Sequence, residues 1–246
     1  MLNVYSHLHT NFSYDGRWPL EKVASAFRKL GADILLVSEH SQRLGSEKWK
    51  NYRGLCKELS NEKIRIIAGV EYSTPKNCIH FPTWGIEEYL GEELEPEKIL
   101  EAARSHGAWC ILAHPERRAA WNAFDSAWPS KGLCGVEVWN RKTDGLTPSS
   151  KGLELASNHS LTPVASVDFH GPKQLYPLYN KLNSERSLIQ ESDCEIIRHI
   201  CENGMTPVVF GLDVLGRTPA SLSVLYAHRG LEFLRRIKNR RRKKAR

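Results

Sequence analysis

The sequence contains no run of about 18 apolar residues, so it predicts no membrane-spanning helix. Its six cysteines form no Cys-x-x-Cys pair, which argues against a zinc ribbon and against a disulfide framework. The glycine-rich nucleotide loops G-x-x-x-x-G-K-S/T and G-x-G-x-x-G are both absent. Residues 1–5 lack the basic stretch and the long apolar segment of a signal peptide. These absences predict a cytoplasmic protein with reduced thiols.

Surplus positive charge is also absent outside one short segment. The whole chain carries a formal net charge of +7, and residues 235–246 contain nine Lys and Arg residues and no acid, so +7 minus nine leaves about −2 for the rest. We therefore expect a folded domain over residues 1–234 and a basic C-terminal tail over residues 235–246. Such a tail can bind nucleic acid or an anionic surface, or it is a solvated helix end.

Short apolar runs that alternate with helical patterns predict the fold class. A chain of 246 residues with 41% hydrophobic content can bury one full core. Apolar runs between helical patterns are typical of buried parallel strands, and seven of them favour an α/β barrel. An eighth run at residues 206–210 is expected at its edge or closing the ring, and residues 171–190 as a long loop near the site. The strands are expected around Val4 and at residues 34–37, 64–70, 79–84, 110–113, 136–139 and 164–167, and the helices at 19–30, 95–106, 149–158, 191–203 and 220–238.

Histidine and carboxylate side chains stand where these apolar runs stop. Function in α/β folds lies at the carboxyl ends of the parallel strands, so these side chains are expected to face one mouth. The sequence therefore predicts one metal site assembled from many strand ends. The residues are His7 and His9 after the first run, His40 after residues 32–37, Glu71 after 64–70, His114 after 109–113, and Asp168 and His170 after 163–167.

Two dyads, His7-x-His9 and Asp168-x-His170, indicate how an ion could be held. Side chains two residues apart on an extended strand point to the same side, so the two side chains of each dyad can bind one ion. Each dyad is a weak signal alone, but the two lie at opposite ends of one series of strands and helices. Imidazole and carboxylate ligands without thiolates suit Zn²⁺, Mn²⁺ or Fe²⁺.

These motifs, taken in order, resemble those of the PHP superfamily, named for polymerase and histidinol phosphatase. The resemblance covers about residues 3–171, and it implies a distorted TIM-like (β/α)7 barrel with a trinuclear centre of three divalent metal ions. The matching segments are His7-Leu8-His9-Thr10, Tyr14-Asp15-Gly16, Ser38-Glu39-His40, Gly69-Val70-Glu71, an isolated His80, Ala113-His114-Pro115 and Val167-Asp168-Phe169-His170.

The resemblance also implies nine metal ligands, distributed among three ions. From the residues alone, His80 also fits an ordinary core or surface histidine, and Asp15 before Gly16 also fits a plain turn. As the resemblance has it, one ion is bound by His7, His9, Glu71 and Asp168, a second by Glu71, His80 and His114, and a third by Asp15, His40 and His170.

Basic residues close to the predicted ligands are candidates for binding a phosphate group. Arginine offers a bidentate fork for phosphate oxygens, which favours Arg17 and Arg117. Each of these residues also fits an exposed loop cation with no such role. The candidates are Arg17, Arg43, Arg117, Arg118 and Lys173.

The predicted function is hydrolysis of a phosphate ester by a metal-bridging hydroxide, with a small phosphomonoester as substrate and no side-chain nucleophile. A nuclease of the same superfamily, with the basic tail binding the nucleic-acid backbone, is one alternative. A catalytically silent metal-bound interaction module is another. The sequence does not specify the leaving group of the substrate or the identity of the metal.

Overall fold

The computed structural model describes residues 1–210 and 212–214 of the chain. The predicted helix at residues 220–238 and the basic tail lie outside these residues. Within them, no helix is long and apolar enough to cross a bilayer.

The helices are α1 (Leu20–Lys29), α2 (Gly45–Leu59), α3 (Pro96–Ser105), α4 (Arg118–Ala123), α5 (Trp128–Lys131), α6 (Ser150–His159) and α7 (Asp193–Asn203). The strands are β1 (Leu2–Leu8), β2 (Ile34–His40), β3 (Arg65–Ser73), β4 (His80–Trp84), β5 (Trp109–Leu112), β6 (Leu133–Asn140), β7 (Thr162–Phe169), β8 (Leu178–Leu182), β9 (Thr206–Val209) and β10 (Leu212–Asp213).

Strands β1 to β7 form a closed barrel. They pair in chain order, and the ring closes where β7 pairs in parallel with β1. Helices follow most of the strands, so the fold is the α/β barrel that the sequence predicted.

Strand β4 runs against its neighbours, so the expectation that all seven strands are parallel is wrong. Its pairings with β3 and β5 are antiparallel, with His80 opposite Ser73. Residues 74–79 are too short for the crossover that two parallel strands require, and the chain therefore turns back directly. The first residue of β4, rather than the last, consequently lies at the end of the barrel where Glu71 of β3 lies.

Strands β8, β9 and β10 extend the sheet outside the ring. Strand β8 pairs antiparallel with β1, and β9 pairs antiparallel with β8. The expected loop at residues 171–190 therefore contains a strand, in which Leu178, Asn180 and Leu182 are buried at every second position. The run at 206–210 forms β9 outside the ring and does not close it.

Alternate residues of the barrel strands build two apolar layers. In β2, Leu35 and Val37 belong to the layer that packs against the outer helices, whereas Ile34 and Leu36 belong to the inner layer. Helix α7 contributes Ile197 to the inner layer and covers the end of the barrel away from the start of β4. The mouth with the predicted ligands stays free for chemistry.

Helices also form where the sequence predicted none: α2 lies between β2 and β3, and α4 and α5 lie between β5 and β6. Helix α2 begins at Gly45 and buries Trp49, Tyr52 and Cys56, which are three and four residues apart and so lie on one face. Helices α4 and α5 are short and interrupted. The many charged residues of α2 hid its apolar face.

Candidate metal centre

The nine predicted ligands lie together at one mouth of the barrel, with Glu71 at their centre. The carboxylate oxygens of Glu71 lie within 3.5 Å of one nitrogen of each of five imidazoles. The distances are 3.1 Å to His7 Nε2, 3.5 Å to His9 Nε2, 2.7 Å to His40 Nδ1, 2.7 Å to His80 Nδ1 and 3.4 Å to His114 Nε2.

Two aspartates complete the cluster on the side away from His80. Asp168 Oδ1 lies 3.7 Å from His9 Nε2 and 3.2 Å from His170 Nδ1. The two oxygens of Asp15 lie 3.2 Å from His40 Nε2 and 3.2 Å from His170 Nε2. The Asp15 side chain is 39% exposed, whereas the other eight predicted ligands are buried. Asp15 therefore marks the open side of the centre.

Three sets of these donor atoms, among the residues described, lie close enough to hold a metal ion. Within each set the atoms are no more than 4.8 Å apart. Two sets fall within the ligand groups implied for two of the ions, and the third contains two of the three residues implied for the remaining ion. The distribution of ligands among individual ions stays a prediction. The sets are His7, His9 and Asp168; Glu71, His80 and His114; and His9, His40 and His170.

Unpartnered nitrogen atoms make the centre suited to cations. Nε2 of His7, His9 and His80 is buried and makes no hydrogen bond to any described residue, because the nearby Glu71 oxygens lie outside hydrogen-bonding geometry for His7 and His9. A buried polar atom without a partner costs roughly 1–3 kcal/mol, which a bound cation would offset. Imidazoles and carboxylates without thiolates suit Zn²⁺, Mn²⁺ or Fe²⁺, so the residues fit divalent metal ions.

Left-handed backbone turns three of the ligands into the mouth. The φ angles are 59° at His7, 33° at His114 and 46° at Asp168. Such angles in residues other than glycine are uncommon and cost about 1–3 kcal/mol each. At His7 the pairing of β1 with β2 and β7 also shifts register. The side chains of each dyad lie close together, but through an irregular strand end and not through the regular strand alternation that was expected.

Two of the buried imidazoles, those of His9 and His114, are held neutral. Burial lowers the pKa of His9, and the neighbouring His40 and His170 lower it further. Burial also lowers the pKa of His114. Both rings therefore present a nitrogen lone pair to a metal ion at neutral pH without first losing a proton.

The imidazoles of His7, His40 and His170 have the opposite shift. Burial opposes the charged form of His40, but Glu71 and Asp15 outweigh it and raise the pKa of His40 to about 9. Hydrogen bonds to Asp15 and Asp168 likewise raise the pKa of His170 against the effect of burial. Without a metal ion, His40 therefore carries a second proton at neutral pH.

We expect the affinity for metal ions to rise between about pH 7 and about pH 9. His40, with a pKa of about 9, must lose a proton before its nitrogen binds an ion. Below this pKa, the ion must displace the proton, and the apparent affinity for the metal ion therefore rises roughly tenfold per pH unit. Calorimetric titration of metal-depleted protein with Mn²⁺ across this range measures the effect, and His106→Gln, at a distant exposed histidine, should show the same slope. An affinity that stays constant over these two units would contradict the competition.

Glu137 of β6 supports the ligands and was missed in the sequence. It is fully buried; His7 Nδ1 lies 2.6 Å from one of its oxygens, and the His114 backbone N–H donates to the other at 2.7 Å. Burial opposes its charge, but His7 holds the pKa of Glu137 below its usual range. With Nδ1–H of His7 donating to Glu137, Nε2 is left to face the centre. A lone acid between Val136 and Val138 in an apolar run was the available signal.

Glu39 fastens the loop that follows β1. It is buried and accepts hydrogen bonds from the Thr10 backbone N–H at 2.9 Å, from Thr10 Oγ1 at 2.6 Å and from Ser13 Oγ. Ser13 Oγ also lies 3.2 Å from His9 Nδ1. Glu39 therefore orients His9 through Ser13, a role for the middle residue of Ser38-Glu39-His40 that the motif did not predict.

Lys142 also lies at the mouth and was missed in the sequence. Its ammonium nitrogen lies 3.4 Å from Asp168 Oδ1 and 3.0 Å from His170 Nε2. It belongs to no apolar run and to no motif, and it follows the end of β6 by two residues. Only the pairing of β6 with β7 brings it to Asp168.

The predicted phosphate-binding residues lie on loops, and their role stays a prediction. Arg17, Arg43, Arg118 and Lys173 are exposed, and Arg117 is half-buried. The positive charges of Arg43 and Arg117 act on the Tyr14 phenol at the mouth, where they oppose the rise of the Tyr14 pKa caused chiefly by burial. The structure thus brings these two arginines near the open side.

Comparison with known families supplies the classification. The model of the PHP domain family matches residues 6–158. The chain belongs to the PHP domain family. This confirms the resemblance drawn from the motifs. No match was found among curated proteins.

Solved structures share the fold of this PHP protein. A two-domain protein from Bacteroides vulgatus ATCC 8482 that contains a predicted PHP-like metal-dependent phosphoesterase is 22% identical, with a TM-score of 0.62 over 86% of this chain and 66% of that one. The lesion-specific endonuclease PfuEndoQ from Pyrococcus furiosus is 16% identical, with a TM-score of 0.54 over 77% of this chain and 56% of its own. An amidohydrolase from Chromobacterium violaceum is 14% identical, with a TM-score of 0.53 over 69% of this chain and 88% of its own. The chain spans just under two thirds of the first structure and about half of the second, and identities this low show the fold alone.

Proposed function

We propose that this PHP protein is a metal-dependent phosphoesterase that hydrolyses a small phosphomonoester with three divalent ions. The observation that carries the proposal is the position of Glu71, one carboxylate within 3.5 Å of five imidazoles. Closely spaced divalent ions, when bound, lower the pKa of a water molecule and neutralise the phosphoryl oxygens during displacement. The protein's residues hold the ions and keep bulk water from their inner side, because every ligand except Asp15 is buried.

A phosphate-release screen paired with elemental analysis tests this function. The purified protein, supplied with Mn²⁺ or Zn²⁺, is assayed on sugar phosphates, amino-acid phosphates, nucleotides and short RNA or DNA. We expect bound divalent ions and phosphate release from at least one small monoester, with no release by the Asp168→Ala variant. Bound metal without turnover of any ester would overturn the proposal and favour the silent interaction module.

A nuclease is the second candidate. The fold likeness to a lesion-specific endonuclease and the nine basic residues at 235–246 favour it. In the same screen, cleavage of oligonucleotides without release of phosphate from any monoester would select the nuclease.

We also propose that the PHP domain extends over residues 1–234, that the basic tail binds an anionic partner, and that the protein is cytoplasmic. The six cysteines are free thiols. Free thiols suit a reducing compartment.

Tyr14 supports an aromatic leaving group. Its side chain is 52% exposed, and its ring stacks on the predicted ligand His40 with centroids 5.0 Å apart and planes at 21°. The Arg43 guanidinium lies 5.7 Å from the centre of the ring. An exposed aromatic ring beside a ligand, next to a cation, is suited to a nucleoside or another aromatic ester.

Tyr14→Ala is expected to raise KM for p-nitrophenyl phosphate about threefold to tenfold, because stacking contributes roughly 0.5–1.5 kcal/mol. KM for glycerol phosphate, which has no ring, should change little. Steady-state kinetics on the two substrates measures the difference, and Tyr14→Phe, which keeps the ring, is the matched control. An equal change for both substrates would show that Tyr14 does not contact the leaving group.

A further inference from the structure

The ammonium group of Lys142 lies among atoms that the metal centre needs. Its nitrogen is 3.4 Å from Asp168 Oδ1, 3.2 Å from His170 Nδ1 and 3.0 Å from His170 Nε2. The side chain is 32% exposed, so it reaches the ligands from the solvent side. A positive charge of the protein itself thus neutralises a predicted metal ligand.

The backbone that carries Lys142 is firmly held. The Asn140 side-chain oxygen accepts hydrogen bonds from the backbone N–H of Lys142 at 3.1 Å and of Thr143 at 2.9 Å. The Asn140 side-chain amide donates to Glu137 at 2.7 Å and to Asp168 at 3.2 Å. The turn is therefore tied to the ligand network, and movement of the charge is left to the flexible four-carbon stem of the lysine.

An ammonium and a divalent ion exclude each other at this position. A metal ion bound by His170 would lie close to the ammonium nitrogen, which is 3.2 Å from Nδ1 and 3.0 Å from Nε2 of this ring. In water, two unit positive charges about 4 Å apart repel by roughly 1 kcal/mol, and the repulsion grows in proportion to the charge of the ion. Near a protein surface the repulsion is several-fold larger. Binding of the ion therefore drives the ammonium outward, toward the mouth where the substrate enters.

We propose that Lys142 is a movable cation of the metal centre. It neutralises Asp168 when no ion is bound beside His170, and it binds the phosphoryl group of the substrate when an ion is bound there. The first half concerns metal binding alone, whereas the second half rests on the proposed function. Lys142 competes with the ion and then becomes a positioning residue for the phosphate, which would make it a phosphate-binding residue additional to the predicted arginines.

Metal titration tests the first half. Metal-depleted wild type, Lys142→Met and Lys29→Met are titrated with Mn²⁺ in a calorimeter. Lys29 is exposed near the end of α1, at the opposite end of the barrel, and its loss changes the net charge by the same amount. We expect Lys142→Met to bind the weakest Mn²⁺ equivalent about tenfold more tightly and Lys29→Met to match wild type. Equal isotherms for Lys142→Met and wild type would overturn the competition.

Binding of inorganic phosphate to the manganese-saturated proteins tests the second half. Lys142→Met is expected to bind phosphate about tenfold more weakly than wild type, and Lys142→Arg to retain most of the affinity. If Lys142→Met and wild type bind phosphate equally, the phosphate role of Lys142 is wrong while the phosphoesterase function stands. If the loaded wild type neither binds phosphate nor releases it from any ester, the proposed function and the phosphate role both fail. The Mn²⁺ titrations would still show whether Lys142 competes with the ion, because they measure metal binding alone.

Discussion

Glu71→Gln should lower turnover of a phosphate ester by at least about a thousandfold, equivalent to about 4 kcal/mol of transition-state stabilisation. Burial opposes ionisation of Glu71, but His80, His7 and His40 hold its pKa well below the usual range, so it is a carboxylate at neutral pH. A glutamine has the same shape but no charge and only one acceptor oxygen. It could not bind two ions at once, as the resemblance implies for Glu71, so the predicted ions would lose their common ligand.

Initial rates on the substrate found in the screen, together with metal content by elemental analysis, measure the effect. Glu101→Gln on the exposed side of α3 removes the same charge outside the site and should behave as wild type. Far-ultraviolet circular dichroism should be unchanged in both variants. If Glu71→Gln kept its activity to within about tenfold of wild type, with full metal content, Glu71 would not be the shared ligand.

Glu137→Gln should weaken metal binding by about 10- to 100-fold, the usual effect of removing a partner of a metal ligand. One Glu137 oxygen lies 2.6 Å from His7 Nδ1, and the other accepts from the His114 N–H and the Asn140 amide at 2.7 Å. A glutamine places an NH₂ group against one of these donors. The orientation of His7 is then lost, and a buried donor is left without its acceptor.

Competition with a chelator of known affinity measures the metal dissociation constants, and thermal unfolding of the metal-depleted proteins measures stability separately. We expect a loss of roughly 1–3 kcal/mol in the free energy of unfolding for Glu137→Gln. Glu154→Gln, on the exposed side of α6, is the matched control and should change neither quantity. A loss of stability with unchanged metal affinity would show that Glu137 supports only the fold.

Seven of the nine predicted ligands were readable because each follows a short apolar run. His40 is the last residue of β2, and Glu71 follows the apolar run of β3 two residues before that strand ends. The carboxyl ends of the strands meet at one mouth of the barrel. From the residues alone, His80 also fitted an ordinary core or surface histidine. The reversal of β4 explains its place at the mouth, and that reversal depends on a short connection between strands rather than on any feature of His80 itself.

Glu137 and Lys142, which sequence reasoning missed, contact ligands that lie far from them in the chain. Glu137 contacts His7 across 130 positions of the chain, and Lys142 contacts Asp168 and His170 across 26 and 28 positions. Neither lies in a short motif, and a lysine that follows a strand is most often an exposed loop cation. Their roles arise from the pairing of β6 with β7 and from the closure of the ring between β7 and β1.

Residue types and local order alone thus determined the barrel class, seven of the nine candidate ligands and the preference for divalent ions, because apolar periodicity and donor chemistry are properties of short segments. Asp15 and His80 were added only by the resemblance to the PHP superfamily. Only the folded chain decided which carboxylate lies at the centre, which strand runs backward and which charged side chains surround the ligands. Those outcomes depend on contacts between segments far apart in the chain, where strand register, left-handed backbone at His7, His114 and Asp168, and burial set the final distances.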